Sequence, residues 1–266
     1  MFAKEIYASR RERLMQKIND GVILLLGNSE ASTNYPSNTY KFRQDSSFLY
    51  FFGLNEPDLA AIMDPQSGDQ ILFGNNVDMD DIIWMGPQPT VADLSAQVGV
   101  AKSFPLSALA PYVENIVKSG TEIHYLPPYR GQTTLLLCSL LSKTPEEVYR
   151  DKSVELMFDV AGMREVKSAE EIEAMERAFH IGYAMHTTAM KMCRAGVVER
   201  EIAGAIEGVA LSYGGGISFT SIVSQHGETL HNHNYNGVLE SGKLLLVDAG
   251  GESVENYCSD HTRTYP

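Results

Sequence analysis

An apolar run that ends in a carboxylate constrains this chain more than any other feature. Leu244, Leu245, Leu246 and Val247 lead directly into Asp248, and twelve residues later Asp260 follows in Cys258-Ser259-Asp260-His261-Thr262-Arg263-Thr264-Tyr265-Pro266. A buried strand gains nothing from an unpaired carboxylate, because desolvating one costs several kcal/mol or forces it to protonate. Gly250, Gly251 and the polar residues after them predict a hairpin turn, and the midpoint of positions 248 and 260 falls at Val254, inside that turn. Residues equidistant from a hairpin turn pair across the strands and face the same way. The two carboxylates are then expected close together, where like charges share a proton or bind a cation. The alternative is that Asp248 is a turn or cap residue and Asp260 a surface charge, since carboxylates are frequent at turns.

Composition narrows the setting. With 44% hydrophobic and 21% charged residues in 266, the chain can bury one large core or two medium ones. A formal net charge of −13, with no block of Lys and Arg, argues against nucleic acid as a partner. Cys138, Cys193 and Cys258 are odd in number and lack C-x-x-C spacing, which fits a reducing compartment. No run of eighteen apolar residues predicts a membrane span, and the stretch after Arg10, Arg11 and Arg13 is too short for a signal-peptide core. A cytoplasmic protein is expected.

Residues 4–18 read as a helix ending near Asn19-Asp20-Gly21, where Gly21 suits a left-handed cap. Strands are predicted at 22–26, 48–52, 60–63, 70–73 and 122–125, with helices near 91–98 and 106–118, an alternation that argues for an α/β domain. Ser168 with Glu171 forms a capping box, and Ile172, Met175, Phe179, Met185, Ala189 and Met190 then recur near helical spacing as the expected core face. A helix over 198–212 stops at Gly214-Gly215-Gly216, and strands are predicted at 219–224, 229–234, 243–249 and 256–264. Helices followed by strands predict an α+β second domain, with the boundary near 150–163.

Strand alternation over 229–234 puts His231, His233 and Tyr235 on one face, where His-x-His either ligates zinc, serves in acid–base chemistry or is simply a pair of polar strand residues. His226 and His261 read as loop or surface residues and His186 as a satisfied helix histidine. No G-x-S-x-G elbow is present and no cysteine has activating context. The glycine triplet lacks the strand and the Lys-Ser/Thr partner of a phosphate loop, so it reads as a helix stop and close-packing turn.

Three segments together resemble a known family. Phe42-Arg43-Gln44-Asp45-Ser46-Ser47-Phe48-Leu49-Tyr50-Phe51-Phe52-Gly53-Leu54-Asn55-Glu56-Pro57 is similar to the signature of the amino-terminal domain of aminopeptidase P and prolidase. Arg164-Glu165-Val166-Lys167-Ser168-Ala169-Glu170-Glu171-Ile172 resembles the entry to their catalytic domain. Leu230-His231, then Val247-Asp248-Ala249-Gly250, then Ser259 to Pro266 resemble the first half of the metal site. They occur in the family's order and span nearly the whole chain.

The resemblance implies an α/β amino-terminal domain of the creatinase and aminopeptidase P type over residues 1–155. The first half of an α+β "pita-bread" metallopeptidase domain would follow over 164–266. It further implies two divalent metals, usually manganese, held by two Asp, one His and two Glu, with a bridging hydroxide attacking the bond before proline. Asp248 and Asp260 match the two metal-binding aspartates. His231 matches a histidine that hydrogen-bonds substrate and the tetrahedral intermediate, which sets zinc ligation by His-x-His aside. Trp84 matches a tryptophan that reaches a neighbouring subunit's site, or serves as a core or interface aromatic, so a homo-oligomer is expected. The implied activity is that of an Xaa-Pro aminopeptidase acting on peptides with proline second; prolidase is the near alternative and a non-catalytic peptide-binding module the distant one. Retention of Asp248, Asp260 and His231 together speaks against the module.

The chain departs from the family pattern in two ways. The interval between the aspartates is one residue longer, which predicts a longer turn around 253–255 or a bulge. The remaining His and both Glu lie after the Thr-Arg-Thr-Tyr-Pro segment in the family. The chain alone is therefore expected to bind manganese weakly, to turn over negligible peptide, and to leave an apolar face and a sheet edge open within 165–266.

Overall fold

An unbroken apolar strand has to be covered on both faces, and Val22–Leu26 (β1) is. Val22 and Leu24 join one buried cluster and Ile23 and Leu25 another. The computed structural model describes residues 1–266, which fall into two units, Met1–Val166 and Lys167–Pro266.

In the first unit α1 (Lys4–Lys17) precedes β1, and an exposed pair, β2 (Ser32–Tyr35) and β3 (Asn38–Thr39), follows it. Next come α2 (Ser46–Phe52), β4 (Ala60–Met63), β5 (Gln70–Gly74), α3 (Met79–Met85), α4 (Val91–Gln97) and β6 (Lys102–Pro105). The unit finishes with α5 (Leu109–Ser119), β7 (Ile123–Tyr125), α6 (Gly131–Leu141), α7 (Pro145–Arg150) and α8 (Val154–Glu165). Its five-stranded sheet has the order β6-β5-β4-β1-β7, in which β1 runs parallel to β7 and antiparallel to β4. One cluster packs α1, α2, α4 and α8 on one face; the other packs α5, α6 and α7 on the opposite face.

One expectation for this unit needs correction. Residues 48–52 form a helix, not a strand: Asp45 accepts hydrogen bonds from Ser47 N and Phe48 N at 2.9 Å, and Gly53 ends α2 at φ 68°. An aromatic run suits either structure, and the caps decide. The two units divide between Val166 and Lys167, beside the expected region near 150–163, because Leu156, Val160 and Met163 of α8 complete the core of the first unit. Helix α1 ends at an extended Ile18, and Gly21, at φ 63°, turns the chain into β1.

Two buried arginines of α1 satisfy the carbonyls at the ends of other helices. Arg11 donates to Phe51 O at 2.8 Å and Val98 O at 2.6 Å, and to Gln70 Oε1 at 2.6 Å. Arg10 donates to Tyr50 O at 2.9 Å and lies over the Tyr50 ring. These are carbonyls that α2 and α4 leave without intrahelical partners. Burial lowers the Arg11 guanidinium pKa to about 10.

The second unit consists of α9 (Ala169–Met192), α10 (Glu199–Ser212), β8 (Ile222–Ser224), β9 (Leu245–Ala249) and β10 (His261–Tyr265). Its antiparallel sheet has the order β10-β9-β8, and the helices supply Ile181, Met185, Ile202 and Ile206 to a cluster shared with Val223, Leu245 and Val247. The Ser168 capping box begins α9 as expected. Its core face is shifted, however: Ala174, Ala178, Gly182 and Met185 are buried, whereas Ile172, Phe179 and Met190 are exposed. Small residues are needed inward because a Cβ at Gly182 would come within 2.6 Å of His261 Nδ1 and 2.9 Å of Ser259 Oγ. Gly214-Gly215-Gly216 does end α10, and Gly215 leaves no room for a Cβ beside the Glu252 carbonyl.

None of the three cysteines is in a disulfide, and no helix is long and apolar enough to cross a membrane.

Candidate metal centre

Strand β9 presents Leu245, Val247 and Ala249 to the core and turns Asp248 to the other face. Asp248 Oδ1 is buried and has no hydrogen-bond partner. Such an orphaned carboxylate oxygen is what a cation would satisfy.

The hairpin forms, with a register different from the expected one. Asp248 pairs with Thr262 of β10, not with Asp260. The same register continues at Glu252 and Cys258, so Asp260 stands opposite Gly250 and one diagonal step from Asp248. Diagonal neighbours share a face at about 7–8 Å, within reach of a common cation. The difference comes from the turn: Ser253 N donates to Tyr257 O at 2.8 Å, and Asn256 adopts φ 63°, which moves the centre of the hairpin to Glu255. Gly250 allows the close approach, since a Cβ there would collide with the Ser259 carbonyl.

The hairpin is tied to α9 by the residue that caps that helix. Glu171 accepts from Ser168 N at 2.9 Å with one oxygen and from the Tyr257 hydroxyl at 2.8 Å with the other. Arg177 adds an ion pair to Glu255 at 3.1 Å. Ser259 Oγ, fully buried, accepts from Gly251 N at 3.0 Å. Asp260 is exposed, whereas Asp248 is half-buried with its Oδ1 shielded from solvent.

His231 lies on a loop, not on the predicted strand. Asn232 Oδ1 accepts from Asn234 N at 2.9 Å and Asn234 Oδ1 from Asn236 N at 3.1 Å, side-chain turns that compete with a sheet ladder. His231 and His233 are both exposed there. The loop leaves β8, whose Ile222 pairs with Asp248. Trp84 belongs to the other unit, on the exposed helix α3, and is 87% exposed. No three His, Cys, Asp or Glu side chains gather into a metal-binding cluster.

His261 departs from the loop or surface reading. It sits half-buried in β10, its ring 5.5 Å from that of Phe179. His186 is satisfied, as expected: Nε2 donates to the His261 carbonyl at 2.8 Å, and Nδ1 accepts from the Tyr265 hydroxyl at 2.6 Å. Burial holds the His186 pKa below its usual value, and pushes the Tyr265 hydroxyl up to about 12. Glu171 and Glu199, both buried, were not singled out by spacing; the capping box flagged Glu171 only as a helix start.

Residues 7–124 match the aminopeptidase P N-terminal domain, and residues 173–266 match metallopeptidase family M24. The Xaa-Pro aminopeptidase of Escherichia coli is 26% identical over 99% of this chain and 62% of its own length. Solved structures of Escherichia coli aminopeptidase P superpose over the whole chain. The low-pH form gives a TM-score of 0.84 at 26% identity and 63% of that chain. The zinc-substituted enzyme with product gives 0.85 at 26% identity and 62%. The chain thus spans about three-fifths of the length of these relatives. With both domains matched in order and the fold shared throughout, the chain belongs to the aminopeptidase P family of metallopeptidases.

Proposed function

We propose that the protein is a metal-dependent Xaa-Pro aminopeptidase, which removes the N-terminal residue from a peptide carrying proline in second place. The observation that carries this reading is the buried, unpartnered oxygen of Asp248, one diagonal step from Asp260 across the β9–β10 hairpin. That donor set fits a hard divalent cation, and manganese suits carboxylate oxygen. Asp248 and Asp260 would hold the metal, which when bound supplies Lewis acidity to polarise the scissile carbonyl and to activate water.

The chain's own residues do the remaining work. Asp248 offers an oxygen shielded from solvent, while the exposed Asp260 leaves the other side open to a peptide. His231, on its exposed loop, hydrogen-bonds the peptide carbonyl and the charge that develops on it. Trp84, exposed on α3, contacts substrate held by a neighbouring copy in a homo-oligomer. Three cysteines without a disulfide are consistent with a cytoplasmic setting.

Hydrolysis of Xaa-Pro-Xaa tripeptides and of Xaa-Pro dipeptides by the full-length gene product, with manganese added, tests the reading. Release of the first residue from tripeptides is expected. Turnover of dipeptides alone would favour prolidase, and peptide binding without turnover would favour a non-catalytic module.

A further inference from the structure

The geometry points to Glu199 as a positioning residue for His231: we propose that its carboxylate closes the base of the His231 loop and so fixes where the histidine meets substrate. The inference rests on the role just assigned to His231. Glu199, in the first turn of α10, is 2% exposed. Its Oε1 accepts from Gln225 N at 3.0 Å, where the loop leaves β8, and its Oε2 accepts from Gly237 N at 3.0 Å, where the loop returns. Glu199 N donates to Gly237 O at 2.9 Å, and Arg200 N to Tyr235 O at 3.0 Å. One side chain thus holds both stems, with charge-assisted bonds that are stronger than neutral ones.

Other contacts order the loop's interior, and the Gln225 side chain adds a second tie at the base through Glu240 N, Glu240 O and Lys243 O. Ser224 Oγ accepts from His226 N at 3.0 Å and from Asn232 Nδ2 at 3.1 Å, and the Tyr235 hydroxyl donates to Ser221 O. Gly237 is shaped to the carboxylate, because a Cβ there would meet Glu199 Oε2 at 2.6 Å. Helix stability alone would not require a first-turn glutamate to be enclosed between two distant backbone amides.

Glu199→Gln keeps the shape but offers one acceptor where two are needed and turns an N–H donor toward another. Gly237→Ala displaces the carboxylate from the opposite side with the charge retained. In the full-length gene product each is expected to lower kcat/KM on an Xaa-Pro-Xaa tripeptide by about 100-fold, mostly through kcat, the scale of a 1 Å misplacement. Amide exchange at Gln225 and Gly237 is expected to accelerate. Added to His231→Ala, Glu199→Gln is expected to cost nothing further, since it acts through the histidine.

An equal loss in the presence and absence of His231 would overturn the inference, as would unchanged turnover in both variants. A silent His231→Ala, with faster exchange in Glu199→Gln, would instead remove the assigned role of His231 and the inference with it. A fall in melting temperature with kcat/KM per folded molecule unchanged would leave Glu199 merely structural.

Discussion

Asp248 faces Thr262 across the β9–β10 ladder, and this pairing places Asp260 diagonally rather than directly opposite. Two carboxylates in that relation repel less than a direct pair, yet can still meet on one cation.

Removing the Asp248 charge is expected to move stability and binding in opposite directions. Without metal, Asp248→Asn relieves a buried, unpartnered charge and is expected to raise stability by about 1 kcal/mol. With manganese the wild-type chain gains by mass action, RT ln(1 + [L]/Kd), and the variant does not. Calorimetric melts with and without manganese check both signs.

Gly250→Ala forces the hairpin apart at the Ser259 carbonyl. A loss of about 1–3 kcal/mol is expected from overpacking, together with loss of manganese binding because Asp260 moves. Titration calorimetry beside urea unfolding separates the two effects.

Asp45→Ala removes the cap that makes residues 46–52 helical. The expected cost is about 1 kcal/mol, and Asp45→Asn, which keeps an acceptor, should recover most of it. Urea midpoints of the three proteins decide.

Arg11→Met leaves the carbonyls of Phe51 and Val98 and the Gln70 amide without their buried donor. Each orphaned group costs about 1–3 kcal/mol, so a loss exceeding that of Asp45→Ala is expected in chemical unfolding of the first unit.

His186 makes the second unit sensitive to acid. Burial depresses its folded-state pKa, opposed by the carbonyls of His261 and Ala249 and assisted by the charges of His261 and Arg263. The stability it contributes is present above the ordinary value of 6.5 and is lost as pH falls through the lower folded-state value. Melting temperatures followed from about pH 7 to about pH 5 should fall in the wild type, and less steeply in His186→Phe.

The sequence was most legible where the determinants are local. Ser168 and Glu171 lie three residues apart, and the capping box they form begins α9 as read. The strand VILLL at 22–26 is apolar throughout and lies inside its sheet, between β4 and β7. Residues 48–52 misled because aromatic content points to a strand while the deciding bonds come from Asp45, a single residue outside the run. The hairpin of the two aspartates was legible, but not its register, which depends on Asn256 taking a left-handed conformation. The His231 segment alternates like a strand, yet its asparagines fold back on their own backbone. Glu199 gave no signal at all, since its partners lie 26 and 38 residues away.

The parallel pairing of β1 with β7 joins Val22 to Ile123, about a hundred residues apart. At synthesis rates of about 5–20 residues per second, β1 leaves the ribosome roughly 5–20 s before its partner exists. For that interval this wholly apolar strand has only β4 to pair with, along one edge. A nascent chain stalled between β5 and β7 should therefore be the species that chaperones hold longest.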